Sequence, residues 1–225
     1  MGEFELKYTF HNSQAQALES WIGFHCHRDE KYPVSKVVSI YLESLDGRAY
    51  AEKINSDFFK TKHRVRWYEF PPNLKVNDDY QVPVFIETKM KIGSQRRKIR
   101  ESVLLPLNEI KANTLPSAFH QRWQTFFYQS ETNIHLQPYL QISYLRKRFS
   151  DPLSGARVSL DSNIQVDRSN PLYLPPPVIA GLPLGVFEIK SNTTETPESL
   201  KYLTRNLARK TSFSKYEQCV SLLLS

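Results

Sequence analysis

Cysteine is scarce in this chain, which has only Cys26 and Cys219 among its 225 residues. Two cysteines so far apart in sequence make neither a disulfide framework nor a Cys-x-x-Cys zinc knuckle, and they fit a reducing compartment. Long apolar runs are also absent, so no segment is predicted to span a bilayer. The opening MGEFELKYTF carries charges where a signal peptide needs an apolar core. We therefore expect a cytoplasmic protein.

Several motifs that define common sites are lacking as well. There is no Gly-x-x-x-x-Gly-Lys loop, which excludes a P-loop phosphate site, and no Gly-x-Ser-x-Gly nucleophile elbow. The segment His25-Cys26-His27 has metal-binding side chains, but no third ligand accompanies it. We interpret it as a packing or surface segment.

The charge that is present is mostly positive. The 30 lysines and arginines exceed the 23 carboxylates and give a formal net charge of +7 and a pI of about 9.3. This balance favours an anionic partner, either a nucleic acid, a phosphorylated metabolite or a membrane surface. A hydrophobic content of 40% with 12% aromatic residues indicates a globular chain, which we interpret as one domain over 1–225.

The charged residues recur two positions apart in segment after segment. Residues i and i+2 of a β-strand point to the same face, so each such segment presents its charges to one side. The segments are Glu3, Glu5 and Lys7; Arg64 and Arg66; Glu87, Lys89 and Lys91; Arg96, Lys98 and Arg100; Arg146 and Arg148; Arg157 with Asp161; and Glu188 with Lys190.

Hydrophobic periodicity predicts an α+β fold of eight or nine strands and three helices. The helices are predicted from Ser13, over 106–129, and from Pro197 to about Arg209, and 48–54 is either a strand or a short helix. We expect the sheet to close into a barrel, because long exposed edges are a liability. The predicted strands are 3–10, 37–43, 62–70, 82–92, 95–105, 138–149, 156–162 and 185–191.

Two interpretations of the charged strands are open. Each strand taken alone is explained by a solvated face opposite an apolar one. As a set, however, mostly cationic neighbours repel unless an anion lies between them. A barrel with an aqueous lumen turns such faces inward, where Arg and Lys bind phosphate and carboxylates hold Mg²⁺ or Mn²⁺.

In this pattern the chain resembles the VTC domain, the polyphosphate polymerase domain among the triphosphate tunnel metalloenzymes, which also include the CYTH proteins. The resemblance covers about 3–216. It lies in the segments EFELKY, SIYLES, HRVRWYE, ETKMK with RRKIRE, YLRKRF, ARVSLD, VFEIK and FSKY. The chain has Leu42-Glu43 where family members usually read Phe-Asp.

The resemblance implies an eight-stranded antiparallel β-barrel, a triphosphate tunnel with flanking helices, that transfers the γ-phosphoryl group of ATP to a polyphosphate chain. Glu188, with Glu5 as a second candidate, would hold Mn²⁺ or Mg²⁺. Lys98 is chosen over Arg96 or Arg100, and Lys89 over Lys91, on register. The implied phosphate ligands are Lys7, Arg64, Arg66, Lys89, Lys98, Arg146, Arg157 and Lys215.

Alternative functions are open. The opening EFELK also fits the Glu-x-Glu-x-Lys signature of CYTH hydrolases, so a triphosphatase in which Glu3 or Glu5 orients water is the second hypothesis. A non-catalytic polyanion or nucleic-acid binder is the third, from RRKIR and RKRF beside aromatic residues. Carboxylates on the cationic strands argue against it, so we expect ATP or triphosphate and polyphosphate as ligands and no nucleic acid. A membrane-anchored partner subunit is compatible with the sequence.

Overall fold

The computed structural model describes residues 4–69, 77, 79–93, 95–108, 136–177 and 181–225. In these ranges the α-helices are α1 Ala15–His25, α2 Arg48–Ile54, α3 Lys201–Asn206 and α4 Lys215–Leu224. The strands are β1 Phe4–His11, β2 His27–Arg28, β3 Val34–Ser44, β4 Phe59–Tyr68, β5 Gln81–Ile92, β6 Gln95–Pro106, β7 Leu136–Ser150, β8 Arg157–Ser169, β9 Leu184–Ser191 and β10 Arg209–Lys210.

The ten strands belong to one antiparallel sheet, which confirms the predicted α+β class and antiparallel pairing. The closed eight-stranded barrel stays a prediction, as does the single domain over 1–225. The ambiguous segment 48–54 is helix α2, and the helix predicted from Pro197 ends at Asn206. Helix α4 was not predicted. The helix predicted over 106–129 lies, from residue 109 onward, outside the described residues, and so does Glu3.

The chain divides into two compact units. Unit 1 lies within 4–37, 143–165 and 181–222, and its strands follow the order β10-β1-β9-β8-β7, with β2 paired to β7. Its core packs Leu18 and Ile22 of α1 against one face of β1, β8 and β9. That face carries Tyr8, Phe10, Val158, Leu160, Phe187 and Ile189. Alternation along the strands therefore assigns the residues between them to the opposite face.

Gly185 allows β9 to approach this core closely. It lies opposite Phe10 in the register of β1 and β9, and a Cβ atom at this position would lie 2.3 Å from the Phe10 ring. A residue with a side chain at position 185 would therefore displace the Phe10 ring from the core.

Unit 2 lies within 38–142, 166–177 and 223–225, and its strands follow the order β7-β3-β4-β5-β6. Its core consists of apolar residues at alternating positions of these strands, among them Val38, Ile40, Val65, Trp67, Val84 and Ile86. Strands β5 and β6 form a hairpin in which Gly93 has φ of +59°, a conformation that favours glycine. The predicted hairpin over 82–92 and 95–105 is confirmed.

Glu43, at the position where the family usually has Asp, lies near the end of β3, and its side chain caps the start of helix α2. The residue is 2% exposed, and its carboxylate accepts hydrogen bonds from the backbone N–H groups of Ala49 (2.9 Å) and Tyr50 (3.0 Å). These donors belong to the first turn of the helix, where backbone N–H groups lack intrahelical partners. In unit 2, Glu43 therefore has the structural role of a helix cap.

Both cysteine thiols are buried and free. Cys26 follows α1 and packs in the core of unit 1, where burial, with a contribution from Asp151, raises the pKa of its thiol to about 11. In the part of the chain that the structure describes, none of the helices combines the length and the apolar character that a bilayer crossing requires.

Candidate functional site

The face of unit 1 opposite its core carries charged residues of both signs, and we call it the mixed face. Register places Arg157, Lys190 and Glu5 in one row across β8, β9 and β1, and Ser159, Glu188 and Lys7 in the next row. Residues directly opposite each other on neighbouring strands share a face. Asp161 continues the same face of β8, and Arg146 of β7 and Lys215 of α4 contact it.

Asp161 is the anionic centre of the mixed face. Its carboxylate is fully buried and accepts two hydrogen bonds from Arg146, from Nε to Oδ1 at 2.6 Å and from Nη2 to Oδ2 at 2.5 Å. Lys215 Nζ lies 2.6 Å from Oδ2. Burial alone would raise the pKa of this carboxyl, but Arg146 and Lys215 hold it below its usual value. Asp161 thereby fixes two cations in one orientation.

Glu188 extends this network to β1. Its carboxylate lies 3.5 Å from Lys7 Nζ, 3.7 Å from Arg146 Nη2 and 4.0 Å from Lys215 Nζ. Burial opposes ionisation of Glu188, and the surrounding cations, Lys215 foremost, nevertheless hold its pKa well below the usual value. The carboxylate is therefore ionised at neutral pH.

The aromatic ring of Tyr144 supports the same two cations. Lys215 Nζ lies 4.7 Å and Arg146 Cζ lies 5.4 Å from its centroid, both within the range of cation–π attraction. Burial alone would lower the pKa of Lys215, but Asp161 and Glu188 raise it above its usual value. Both groups accordingly stay positively charged at neutral pH.

Glu5 and Glu188 supply the oxygen donors that a hard divalent cation prefers. Both carboxylates reach the same ammonium group, Lys7 Nζ, at 3.6 and 3.5 Å. Within the described ranges, no cluster of three or more His, Cys, Asp or Glu side chains is arranged to hold a metal ion. Mg²⁺ commonly uses one or two carboxylates and completes its shell with waters and phosphate oxygens. The donor set fits an ion that arrives with a phosphate ligand.

The face of unit 2 opposite its core is predominantly positive, and we call it the basic face. In register, Arg64 lies opposite Glu87 and Glu87 opposite Arg100; Lys62, Lys89 and Lys98 form the next row, and Lys60 and Lys91 lie beyond it. Arg66 lies opposite Phe85 at the other end. The basic face thus consists of Lys60, Lys62, Arg64, Arg66, Lys89, Lys91, Lys98 and Arg100 around Glu87.

Glu87 organises the inner row of the basic face. Its carboxylate lies 2.6 Å from Arg64 Nη2, 2.5 Å from Lys98 Nζ and 3.6 Å from Arg100 Nε. Burial favours the neutral form of this carboxyl, but Arg64, Arg66 and Lys98 hold its pKa well below the usual value. The Glu87 side chain is 2% exposed, whereas the Lys98 and Arg100 side chains are 41% and 40% exposed and remain accessible to a ligand.

Two further contacts fix arginines of the basic face. Arg66 is nearly buried and donates a hydrogen bond from Nε to Ser39 Oγ at 3.0 Å. The Arg100 guanidinium stacks on Phe85, with Cζ 3.6 Å from the ring centroid. Guanidinium groups held in this way are oriented before an anion binds.

The structure brings the predicted residues together in two groups. Lys7, Arg146, Lys215, Glu5 and Glu188 meet on the mixed face, and Arg157 shares it one row away, opposite Lys190. The other predicted residues, Arg64, Arg66, Lys89 and Lys98, belong to the basic face. Lys98 and Arg100 lie on the same face, as do Lys89 and Lys91, so register does not separate these alternatives.

Sequence reasoning did not include Asp161, Glu87 or Tyr144 among the site residues. The spacing from Arg157 to Asp161 and from Glu87 to Lys89 assigns both carboxylates to cationic faces. Their cationic partners, however, lie on other elements. For Asp161 these are Arg146 and Lys215, which only the folded chain brings to it.

Comparison with known proteins identifies the family. The family model of the VTC domain matches residues 3–224. The PH1819 protein of Pyrococcus horikoshii OT3 is similar in structure, with a TM-score of 0.50, 12% identity, and coverage of 97% of this chain and 99% of that one. So is HpAC1 of Hippeastrum, with a TM-score of 0.50, 12% identity, and coverage of 98% and 96%. HpAC1 is described as a putative adenylyl cyclase with a dominant triphosphatase activity.

None of the curated proteins matches the chain. The similarity to the two solved structures concerns the fold, and the family match covers nearly the whole sequence. The family match agrees with the motifs that carry the resemblance, from EFELKY to FSKY. The chain belongs to the VTC domain family.

Proposed function

We propose that the protein is an ATP-dependent polyphosphate polymerase that transfers the γ-phosphoryl group of ATP to a polyphosphate chain. The observation that carries the proposal is the basic face, where eight lysines and arginines among the described residues lie around the carboxylate of Glu87. Such a density of cations suits a ligand with many closely spaced negative charges. Membership of the VTC family supports the same conclusion.

The transfer needs positive charge more than it needs a strong base. An oxygen of the terminal phosphate of the chain attacks the γ-phosphorus of ATP, the bond from that phosphorus to the β–γ bridging oxygen breaks, and ADP leaves with the electron pair. Negative charge spreads over the transferred oxygens in the transition state. Cations held in place before the reaction stabilise that charge. We assign this role to Lys7, Arg64, Arg66, Lys89, Lys98, Arg146, Arg157 and Lys215.

A divalent ion, Mg²⁺ or Mn²⁺, would be held by Glu188 and Glu5. When bound, it supplies positive charge that offsets the charge of the phosphate oxygens. Asp161 positions Arg146 and Lys215 beside Glu188, and thereby keeps two cations close to the carboxylate that we assign to the ion.

A triphosphatase is the second candidate. The observation that favours it is the pair Glu5 and Lys7 on the mixed face, because a carboxylate beside a cationic phosphate site can orient an attacking water. The description of HpAC1 as having a dominant triphosphatase activity adds support by similarity of fold. The two reactions share the electrophile and differ in the nucleophile.

One incubation separates these functions. The protein is mixed with ATP and Mn²⁺ or Mg²⁺, and the products are examined by gel for polyphosphate and by assay for ADP and orthophosphate. We expect long polyphosphate, with one ADP released for each phosphoryl group added to the chain. Orthophosphate without polyphosphate would identify a triphosphatase. If ATP is not turned over with either metal ion, the protein is a binding module without catalytic activity. Arg64→Ala should abolish turnover, and Arg97→Ala, on the opposite face of β6, should not.

The location, domain organisation and ligands of the protein are proposed on the same basis. We propose a cytoplasmic protein with one functional domain over 1–225, its family core at about 3–216. The ligands proposed for it are ATP and polyphosphate, with no nucleic acid. A partner subunit that anchors it to a membrane is compatible with this role.

A further inference from the structure

The basic face extends well beyond the row that contains its carboxylate. From Arg66 to Lys60, strand β4 places a basic residue on this face at every second position. Each pair of positions advances about 6.5 Å along a strand, so the four rows span about 20 Å. This distance is longer than three linked phosphoryl groups can cover.

The rows of the basic face differ in which residues lie directly opposite one another. Arg64 and Arg100 flank Glu87, which is also within 2.5 Å of Lys98. The next row places Lys62, Lys89 and Lys98 directly opposite one another, and the last places Lys60 opposite Lys91. Like charges at directly opposite positions destabilise a sheet. A polyanion bound beside Lys60 and Lys91 would offset the repulsion between these two lysines.

At the end of the basic face that carries Lys60 and Lys91, a backbone hydrogen bond and an aromatic contact fix β4 against the hairpin turn. The N–H group of Gly93 donates to the Phe58 carbonyl at 2.9 Å, and a Cβ atom at position 93 would lie 2.7 Å from the Phe58 ring. Phe59 pairs with Ile92 in the adjacent row. The two lysines are therefore kept opposite each other, and their side chains lie outside the core of unit 2.

We propose that Lys60 and Lys91, the outer lysine pair, form a subsite for the part of a polyphosphate chain that extends beyond a bound triphosphate. This inference rests on the proposed function and adds to it a determinant of ligand length. Lysine suits this position because its compact ammonium group binds successive phosphates without demanding one bidentate geometry. The outer pair would thus distinguish a long inorganic chain from tripolyphosphate.

Binding of two inorganic probes tests the proposal. Dissociation constants for tripolyphosphate and for long-chain polyphosphate are measured at fixed ionic strength for the wild type and for Lys60→Ala with Lys91→Ala. Loss of two phosphate contacts should weaken long-chain binding about tenfold or more and reduce its salt dependence. Tripolyphosphate affinity should change less than about twofold.

A charge-matched control excludes a general effect of lowered net charge. Arg97→Ala with Arg205→Ala removes two exposed cations, one on the opposite face of β6 and one on α3. This variant should bind both probes as the wild type does. A long-chain defect of the same size in the control would overturn the proposal, since it would then reflect overall charge.

The remaining outcomes separate the inference from the proposed function. Equal weakening of both probes in the outer-pair variant, or no change in either, overturns the subsite alone. Failure of the wild type to bind either probe overturns the proposed function together with the subsite. A selective loss of long-chain affinity, with tripolyphosphate binding retained, supports both.

Discussion

Asp161 shows how one residue determines the geometry of the mixed face. It has no exposed surface, and both of its oxygens accept hydrogen bonds from Arg146 while Oδ2 also contacts Lys215. Two cations this close to each other are tolerated because the carboxylate lies between them. The residue therefore positions the cations and need not touch a ligand.

Replacing Asp161 with Asn should destabilise the protein by about 3 kcal/mol, because the substitution leaves Arg146 and Lys215 without their buried counter-charge. Urea unfolding at neutral pH measures the loss. Glu101→Gln, an exposed carboxylate on β6, is the control and should change the free energy of unfolding by less than about 0.5 kcal/mol. Equal stabilities of D161N and E101Q would contradict the role assigned to Asp161.

At the scale of elements, alternation was the most informative property of the sequence. The period of two in β1, β4, β5, β6, β8 and β9 correctly separated apolar from charged faces, because strand geometry enforces it. The hairpin of β5 and β6 was predictable too, since Gly93 permits its tight turn and the turn fixes the register. Lys89 and Lys98 are opposite each other for that local reason.

Contacts between strands distant in sequence could not be predicted in the same way. Lys7 meets Glu188 through pairing of β1 with β9, and Arg146 meets Asp161 through the packing of β7 and β8. Nothing local in those segments specifies the neighbour. Helix α4 did have a local signal, because Ser214 precedes Lys215 and Glu217 lies three residues after the serine. Ser214 Oγ accepts from the Glu217 N–H group at 3.4 Å.

Helix α2 offers a test of capping at this scale. Glu43→Ala should cost about 2 kcal/mol, because two N–H groups at the start of the helix lose a charged acceptor that is nearly inaccessible to water. Thermal or urea unfolding measures the difference against Glu195→Ala, an exposed carboxylate in a loop of unit 1. If both variants unfold at the same denaturant concentration, Glu43 does not stabilise α2.

For the whole molecule, buried ionisable groups predict two windows of pH-dependent stability. Burial lowers the pKa of His63 to about 4, so between pH 6.5 and 4 the unfolded chain binds a proton that the folded chain does not. Folding lowers the pKa values of three carboxyls, those of Glu87, Asp161 and Glu188. Their contribution to the free energy of unfolding is complete above the pKa of the unfolded chain, about 4, and is lost as the pH falls through the lower pKa values of the folded chain.

We therefore expect the free energy of unfolding to fall from pH 6.5 to 4, by on the order of 2–3 kcal/mol from His63, and to fall further below pH 4. Urea titrations at a series of pH values measure both windows. His63→Gln should flatten the first window and leave the second. A wild-type stability that stays constant or rises as the pH decreases from 6.5 would contradict the assignment.

The charge pattern of the chain was predictable as a whole, whereas the pairing of its charges was not. The sequence predicts cationic faces and a preference for polyanions, because composition and alternation are properties of the chain itself. The identity of the counter-charges depends on register between strands, as for Glu87 between Arg64 and Arg100. The central roles of Glu87 on the basic face and Asp161 on the mixed face could therefore be recognised only from the structure.

The burial of both thiols has a practical consequence for spectroscopy. Cys26 and Cys219 are shielded from solvent, and the Cys26 thiol stays protonated at neutral pH, so maleimide dyes will react slowly with the native chain. A cysteine introduced at an exposed position, as in R97C, will then be the principal site of labelling. Fluorophores can be attached without first removing the native cysteines.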